Sequence, residues 1–324
     1  MKATAVARAN IALVKYWGNL DARLNLPAAG SLSVTLAGLE TRTTVTRGGA
    51  SRDRLMINGD AVSPAALTRA RRVMDAARAL AGHDSEPLLV ESVNSFPTAA
   101  GLASSASGMA ALAVATAGAL GLELPPEQLS TLARLGSGSA CRSIFGGFVL
   151  WRPGSRPDGS DSHGVQLHPA EYWGPRVVVV VVAEQPKPVS SSEGMALTAA
   201  TSPYHQAWLQ GADRDLRQAR AAIAARDLGS LGQVAQRSCL RMHANMAATD
   251  PPLIYLTSSS WRIIEGVQRL QGQGVPAFFT ADAGPNIKVF CEAEAEAKVA
   301  SEMGKIPGVK QIIHARPGEG AALV

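Results

Sequence analysis

Four short stretches of the chain hold the residues best suited to chemistry. In Thr280-Ala-Asp-Ala-Gly-Pro-Asn286, Asp282 stands between an apolar run and a Gly-Pro turn. A carboxylate placed there either bonds to local backbone, as turn aspartates commonly do, or accepts a proton and stabilises charge. Gly136-Ser-Gly-Ser-Ala-Cys-Arg-Ser-Ile-Phe-Gly-Gly147 puts Ser137, Ser139 and Arg142 on one Gly-rich bend. The planar guanidinium of Arg142 could clamp a carboxylate while the serines orient hydroxyl or phosphate oxygens; the plainer alternative is a turn with a surface arginine. Pro97-Thr-Ala-Ala-Gly-Leu-Ala-Ser-Ser-Ala-Ser107 is a loop of small residues running into a helix. Amides at a helix N-terminus suit a phosphate chain, although small residues also permit close packing alone. Lys15-Tyr-Trp-Gly-Asn19 pairs a cation and a phenol beside a glycine and could hold an anion.

The elements that must position these residues are legible from periodicity. Residues 3–16 read as a strand running into an irregular stretch over 17–27, and 31–36 and 41–46 as two paired strands, with Asn58-Gly59 as a turn. Ser63-Pro64 starts an amphipathic helix that ends near Gly82. A strand at 88–93, helices at 105–120 and 125–135, and a strand at 146–151 follow. The apolar run 177–183 is too short to span a bilayer and reads as a buried strand. Helices at 213–227 and 231–248 are joined at Gly229, and a third helix carries Trp261, Ile264, Val267 and Leu270 on one face, with Ser258–Ser260 near its cap. Strands at 277–280 and 286–290, a helix at 292–303 and a strand at 309–314 complete a mixed α and β chain.

Composition narrows the class. The 324 residues are 46% hydrophobic and 18% charged, with a formal charge of +5, enough chain for one large core or two domains. Lysine is sparse and the positive balance comes from arginine, without a basic block or aromatic-studded stripe, so nucleic acid is not expected as a partner. Cys141, Cys239 and Cys291 are odd in number and widely spaced, as buried reduced thiols would be, and fit neither a disulfide framework nor a metal pair. No targeting leader is read at the start, so the expectation is a soluble cytoplasmic protein with no membrane span.

Taken together and in this order, the four stretches resemble the diphosphomevalonate decarboxylases of the GHMP kinase superfamily. Supporting pieces are Asn10-Ile-Ala-Leu-Val-Lys-Tyr-Trp-Gly18, Leu24-Asn-Leu-Pro27, Ser31-Leu-Ser-Val-Thr-Leu36, Lys187-Pro-Val-Ser-Ser191, Gly194-Met195, Thr201-Ser-Pro203, His243-Ala244, Pro251-Pro252 and Ser260-Trp-Arg-Ile-Ile264. The resemblance implies a two-lobed α+β fold. A ribosomal-protein-S5-like nucleotide lobe would span residues 1–180 and a ferredoxin-like lobe with the catalytic aspartate 181–324. It also implies ATP and Mg²⁺, a small phosphorylated substrate, and often a homodimer. By the same resemblance Asp282 faces the substrate's 3-hydroxyl and Arg142 binds its carboxylate. Ser137, Ser139, Tyr16, Asn19, Ser192 and Met195 match substrate-binding positions. Ala100, Gly101, Ser104, Ser105, Ser107 and Lys187 match the nucleotide site, with Mg²⁺ carried near Ser105. Lys15 belongs to the motif without an assigned catalytic role. His243 reads as a packed, hydrogen-bonded helical histidine.

Two positions depart from the family pattern. Asn19 stands where a lysine is usual, and Ser192 where bacterial members often carry arginine, followed by the acidic Glu193. Fewer cations opposite the 5-phosphate favour a monophosphate, because buried phosphate oxygens without cationic partners are costly. The expected reaction is therefore ATP-dependent decarboxylation of mevalonate 5-phosphate to isopentenyl phosphate, the 5-diphosphate being the alternative. In a plainer reading Asn19 is a turn residue and Arg23, Arg69 or Arg72 supplies the charge. More distant alternatives are a small-molecule kinase that stops at phosphoryl transfer and a non-catalytic member of the fold.

Overall fold

The computed structural model describes residues 1–48, 51–82, 86–96, 104–182 and 189–324. One long bent hairpin organises the first half. β1 (Lys2–Val14) runs antiparallel to β4 (Ser31–Arg47), and the small ribbon of β2 (Asn19–Asp21) and β3 (Leu26–Pro27) lies in the connection. Residues 31–36 and 41–46, expected as two strands, form this single 17-residue strand. It turns without breaking because Gly38 adopts a φ of 91°, which a residue with a Cβ rarely takes, and because the register shifts opposite it between Arg8 and Asn10. The shift presents the Asn10 side chain to the Ser139 backbone.

Around that hairpin lie β5 (Arg54–Ile57), β6 (Asp60–Ala61), α1 (Pro64–Ala81), β7 (Leu88–Asn94), α2 (Ser104–Ala119), α3 (Pro126–Gly136), α4 (Ala140–Ser143), β8 (Phe148–Trp151) and β9 (Gly164–His168). The Ser63 side chain caps α1, and Gly82, with φ 67°, ends it. α2 is apolar all round because it is buried all round, its alanines packed against β1 and α1. The two halves of β4 serve different neighbours. Ser31–Val34 pair with β8 and Thr41–Arg47 with β7.

The second half comprises β10 (Arg176–Val181), α5 (Ser191–Thr201), α6 (His205–Ala225), α7 (Leu228–Ala247), α8 (Ser258–Gly272), β11 (Ala277–Ala281), β12 (Ile287–Cys291), α9 (Glu296–Gly304), β13 (Gln311–Pro317) and β14 (Ala322–Leu323). Its strands lie in the order β11–β12–β10–β13, all antiparallel, the ferredoxin-like arrangement. α8 and α9 cover one face; α6 and α7 cover the other. That explains the unbroken valine run of β10, which has no solvent face to make polar. β13 pairs with β4 through Arg316 and Pro317, so one sheet continues through both halves.

Several boundaries differ from expectation, and α6 begins at His205, eight residues before the expected 213. α6 and α7 meet at Arg226 and Asp227, where Asp227 caps α7; Gly229 lies inside the first turn. The helix expected over 292–303 is a short 3₁₀ turn followed by α9, since Glu292 is still extended. The last strand starts at Gln311 and runs to Pro317. All three cysteines are buried free thiols. Among the described residues no helix is long and apolar enough to cross a membrane.

Candidate active site

The two halves bring together residues more than 260 positions apart. β1 ends at Val14, and the next amide, of Lys15, donates to the Ser238 hydroxyl on α7 at 3.0 Å. Trp17 is held on both sides. Its indole donates to Thr198 on α5 at 2.9 Å, and its carbonyl accepts from the Trp208 indole on α6 at 3.1 Å. Lys15 and Tyr16 are thus fixed from both directions.

Asp282 follows β11. Its backbone forms the turn, with the Gly284 amide donating to the Asp282 carbonyl at 2.7 Å. Asn286 and Ser260 secure the same turn, through bonds to the Val182 amide and the Pro285 carbonyl. The carboxylate is therefore left for other work. Lys15 Nζ lies 2.7 Å from Oδ1, and Lys288 Nζ 3.8 Å from Oδ2. Burial pushes the Asp282 carboxyl up, but Lys15, Lys288 and Arg142 together outweigh it and hold the group below the usual aspartate range. Asp282 is an anion at neutral pH.

Arg142 lies in the single turn of α4, 2% exposed. Its Nη1 donates to Ser31 Oγ at 2.6 Å, and its Nε lies 3.0 Å from Ser33 Oγ and 3.2 Å from Asn10 Oδ1. Asn10 is itself oriented by bonds to the Ser139 carbonyl and Ser143 hydroxyl. The guanidinium lies 5.7 Å from the centre of the Trp151 ring. Among the described residues Arg142 makes no ion pair: it is a buried cation solvated by neutral oxygens. Burial lowers its proton affinity, an effect that Cys141, Asp282 and Tyr16 oppose.

Tyr16 completes the wall. Its ring meets Trp151 edge-on at 4.7 Å, and its hydroxyl donates to Asn19 Oδ1. The hydroxyl sits over Gly138, where an added Cβ would lie 2.7 Å away, so only glycine fits between Ser137 and Ser139. Those two hydroxyls are half-buried and 3.5 Å apart. Burial raises the Tyr16 phenol far above its usual range and keeps it a neutral donor. Met195 packs with Trp17, Trp208, Met242 and Ala283 in a cluster beneath the site.

The remaining expected residues are placed as follows. Ser192 is exposed in the first turn of α5, and Glu193 closes a capping box with Ser190. The Glu193 carboxylate, read as added negative charge beside Ser192, accepts from the Ser190 amide at 3.0 Å. Ser104 and Ser105 open α2. Ser107 is fully buried, with its hydroxyl 2.7 Å from that of Thr41. Ala100, Gly101 and Lys187 lie outside the described residues.

Sequence reasoning assigned no role to Lys288, Ser31, Ser33, Asn10 or Ser238. A lysine inside an otherwise apolar strand was the available signal for Lys288. His243 is packed against the backbone of Ala281 and Asp282, and its Nε2 is buried without a hydrogen-bond partner. Burial first, and Lys15 second, lower its pKa to about 4, so it is neutral near pH 7.

The chain is similar to known proteins over nearly its whole length. The domain family described as "Diphosphomevalonate decarboxylase-like N-terminal domain" matches residues 7–164, and "Mevalonate 5-diphosphate decarboxylase C-terminal domain" matches residues 177–321. The diphosphomevalonate decarboxylase of Candida albicans is 37% identical, covering 95% of this chain and 90% of its own. That of Bos taurus is 41% identical, covering 89% and 76%. The mevalonate diphosphate decarboxylase crystal structure from Staphylococcus aureus superposes with a TM-score of 0.92 at 39% identity, covering 100% of this chain and 98% of the other. A structure described as "MDDEF in complex with MVAPP, AMPPCP and Magnesium" gives 0.92 at 37% identity, covering 100% and 99%. With both domain families matched in order and whole-length relatives at this identity, the chain belongs to the diphosphomevalonate decarboxylase family.

Proposed function

We propose that this protein decarboxylates mevalonate 5-diphosphate at the expense of ATP, giving isopentenyl diphosphate, ADP, phosphate and CO₂. One observation carries the reading: a buried guanidinium with no acidic partner among the described residues lies in electrostatic range of the Lys15–Asp282 ion pair. Such a site accepts a carboxylate on one side and a hydroxyl on the other.

A tertiary hydroxyl is a poor leaving group, and ATP supplies the phosphoryl group that makes it a good one. Asp282 accepts the hydroxyl proton as the new O–P bond forms and the bond to the ADP oxygen breaks. The C3–O bond then breaks with loss of phosphate. With Asp282 now protonated and neutral, positive charge developing at C3 is stabilised by the hydroxyl oxygens of the Tyr16–Ser139 wall. Arg142 holds C1 in place, and the C1–C2 bonding electrons become the alkene as CO₂ departs. Among the described residues no group of three or more His, Cys, Asp or Glu side chains gathers to hold a metal. Magnesium would come with the nucleotide, with Ser104 and Ser105 at the helix start suited to hold its phosphates.

The monophosphate preference read from Asn19 and Ser192 gives way to the diphosphate. The relatives are diphosphomevalonate decarboxylases. Asn19 serves as the acceptor for a buried phenol, and Glu193 serves as a helix cap, where the dipole offsets its charge. Neither residue then argues for a less charged substrate.

The test is turnover with ATP, Mg²⁺ and each 5-phosphorylated mevalonate, following ADP and CO₂ together. Equal release of both, with higher kcat/KM for the diphosphate, is expected. ADP without CO₂ would make the protein a kinase, and faster turnover of the monophosphate would restore the other substrate.

A further inference from the structure

Lys288 is a lysine where the strand calls for an apolar residue. It sits in the middle of β12 among Ile287, Val289, Phe290 and Cys291, and its side chain is 1% exposed. An ammonium buried this deeply needs a counter-charge. Its Nζ lies 3.2 Å from the Asn286 carbonyl and 3.8 Å from Asp282 Oδ2. Asp282 is thus flanked by two lysines, one on each oxygen, with different geometry. Lys15, at 2.7 Å, donates a hydrogen bond and occupies a lone pair of Oδ1. Lys288 is too far for a hydrogen bond. Its attraction needs no lone pair of the carboxylate.

That difference matters for a base. A carboxylate that is to take a proton needs an oxygen not already accepting one. It must also be ionised before the hydroxyl arrives. We propose that Lys288 is a positioning residue for the decarboxylation, acting through Asp282: it keeps that carboxylate ionised while leaving Oδ2 open to the substrate's hydroxyl. The inference rests on the proposed function, in which Asp282 is the proton acceptor.

The other groups facing Asp282 do not duplicate this role. Lys15 from the end of β1 is hydrogen-bonded to the opposite oxygen. Arg142 from α4 is held by Ser31, Ser33 and Asn10. His243 from α7 is neutral near pH 7, and burial keeps the Cys239 thiol protonated.

The experiment compares kcat/KM from about pH 5 to 9 for wild type, Lys288→Met and Lys288→Arg, each taken as a ratio to wild type at the same pH so that titration of the substrate cancels. Removing a cation raises the proton affinity of Asp282, so activity is lost at the acid end first. With ordinary aspartate near 3.9, a rise of about one pH unit should cost the Met variant about twofold relative to wild type at pH 5 and almost nothing above pH 7. Lys288→Arg should stay near wild type throughout. A Met:wild-type ratio that is flat with pH, whether near one or uniformly low, would overturn the proposal.

If Lys288→Met does not fold, Lys288→Gln is read by the same profile. A thermal-melting cycle gives a readout independent of turnover. Lys288→Met should lower Tm in the wild-type background and leave it unchanged or raised with Asp282→Asn. Equal losses in both would mean the two residues do not act together. If Asp282→Asn itself turns over normally, the underlying assignment of the base fails. An inactive Asp282→Asn beside an unshifted Lys288→Met profile refutes only the inference about Lys288.

Discussion

Replacing Arg142 with methionine separates function from stability at one position. In function, the substitution removes the buried guanidinium proposed to hold the carboxylate in a two-pronged grip. Hydrogen bonds to a charged group are worth about 1.5–3 kcal/mol each, so a lost pair costs about 3–6 kcal/mol, or roughly 10²–10⁴ in kcat/KM. In stability, the variant loses bonds to Ser31, Ser33 and Asn10. At about 1.5–3 kcal/mol for each donor of a charged group, and with Ser33 and Asn10 sharing the one Nε–H, these amount to about 3–6 kcal/mol. Against this loss, folding no longer buries an arginine that lacks an acidic partner, a cost of several kcal/mol per ion. The opposing terms are similar in size, and the net change should stay within about 2 kcal/mol of either sign. At roughly 2–4 °C per kcal/mol, Tm should move by less than about 8 °C. The assay pairs thermal melting with ADP and CO₂ release, and both products should fall together. A collapse in Tm well beyond that range would make Arg142 a structural residue. Turnover within tenfold of wild type would mean that another group holds the carboxylate.

Asn19→Lys restores a cation beside Tyr16; we expect it to raise the diphosphate:monophosphate ratio of kcat/KM by about tenfold or more, as one charge-assisted contact would. An unchanged ratio in side-by-side kinetics would place Asn19 away from the 5-phosphate. Gly138→Ala should cost activity by displacing Tyr16, because its Cβ would meet the hydroxyl at 2.7 Å and Trp151 at 2.9 Å, and should lower stability by about 1–3 kcal/mol. Both effects should weaken together in a Tyr16→Phe background, measured by melting and kcat. His243 gives a pH signature in denaturant unfolding. Its folded pKa of about 4 lies below the unfolded 6.5, so the unfolded chain binds the extra proton, and stability falls as pH drops from 6.5 toward 4. The loss approaches about 3 kcal/mol, and His243→Gln should flatten that part of the curve; an equally steep decline in the variant would assign it to other groups.

How far the sequence could be read depended on the range of the interaction. Helices with local signals were legible: Ser63-Pro64 and Gly82 bound α1 closely. The bend in β4 was not, because alternation says where a strand is, not whether Gly38 interrupts it or curves it. At the site, residue types were legible and partners were not. Asp282 in its turn could have been a backbone cap; only the fold brings Lys15, 267 positions away, to its oxygen while leaving the turn to the backbone. Lys288 was missed because one lysine in a strand normally marks a solvent face, and this sheet has none. The substrate preference read from Asn19 and Ser192 failed for the opposite reason: it counted charges toward a phosphate, whereas Asn19 and Glu193 each have a partner three residues away.

The partners of Arg142 bear on the chemistry in a way its charge alone does not. A cation that held the carboxylate as its sole counter-ion would oppose decarboxylation, because CO₂ would leave behind a naked buried charge. Here the guanidinium has its own neutral oxygens in Ser31, Ser33 and Asn10, all supplied by the protein and all available before and after the carboxylate is lost. The carboxylate is oriented without being made indispensable. Lys15 is in the contrary position, since its charge is matched by Asp282. When Asp282 takes the hydroxyl proton that match is broken, and the freed ammonium then favours anionic charge on the phosphate about to leave. Proton acceptance at one end of the site thus prepares phosphate departure, while Arg142 lets the carboxylate go.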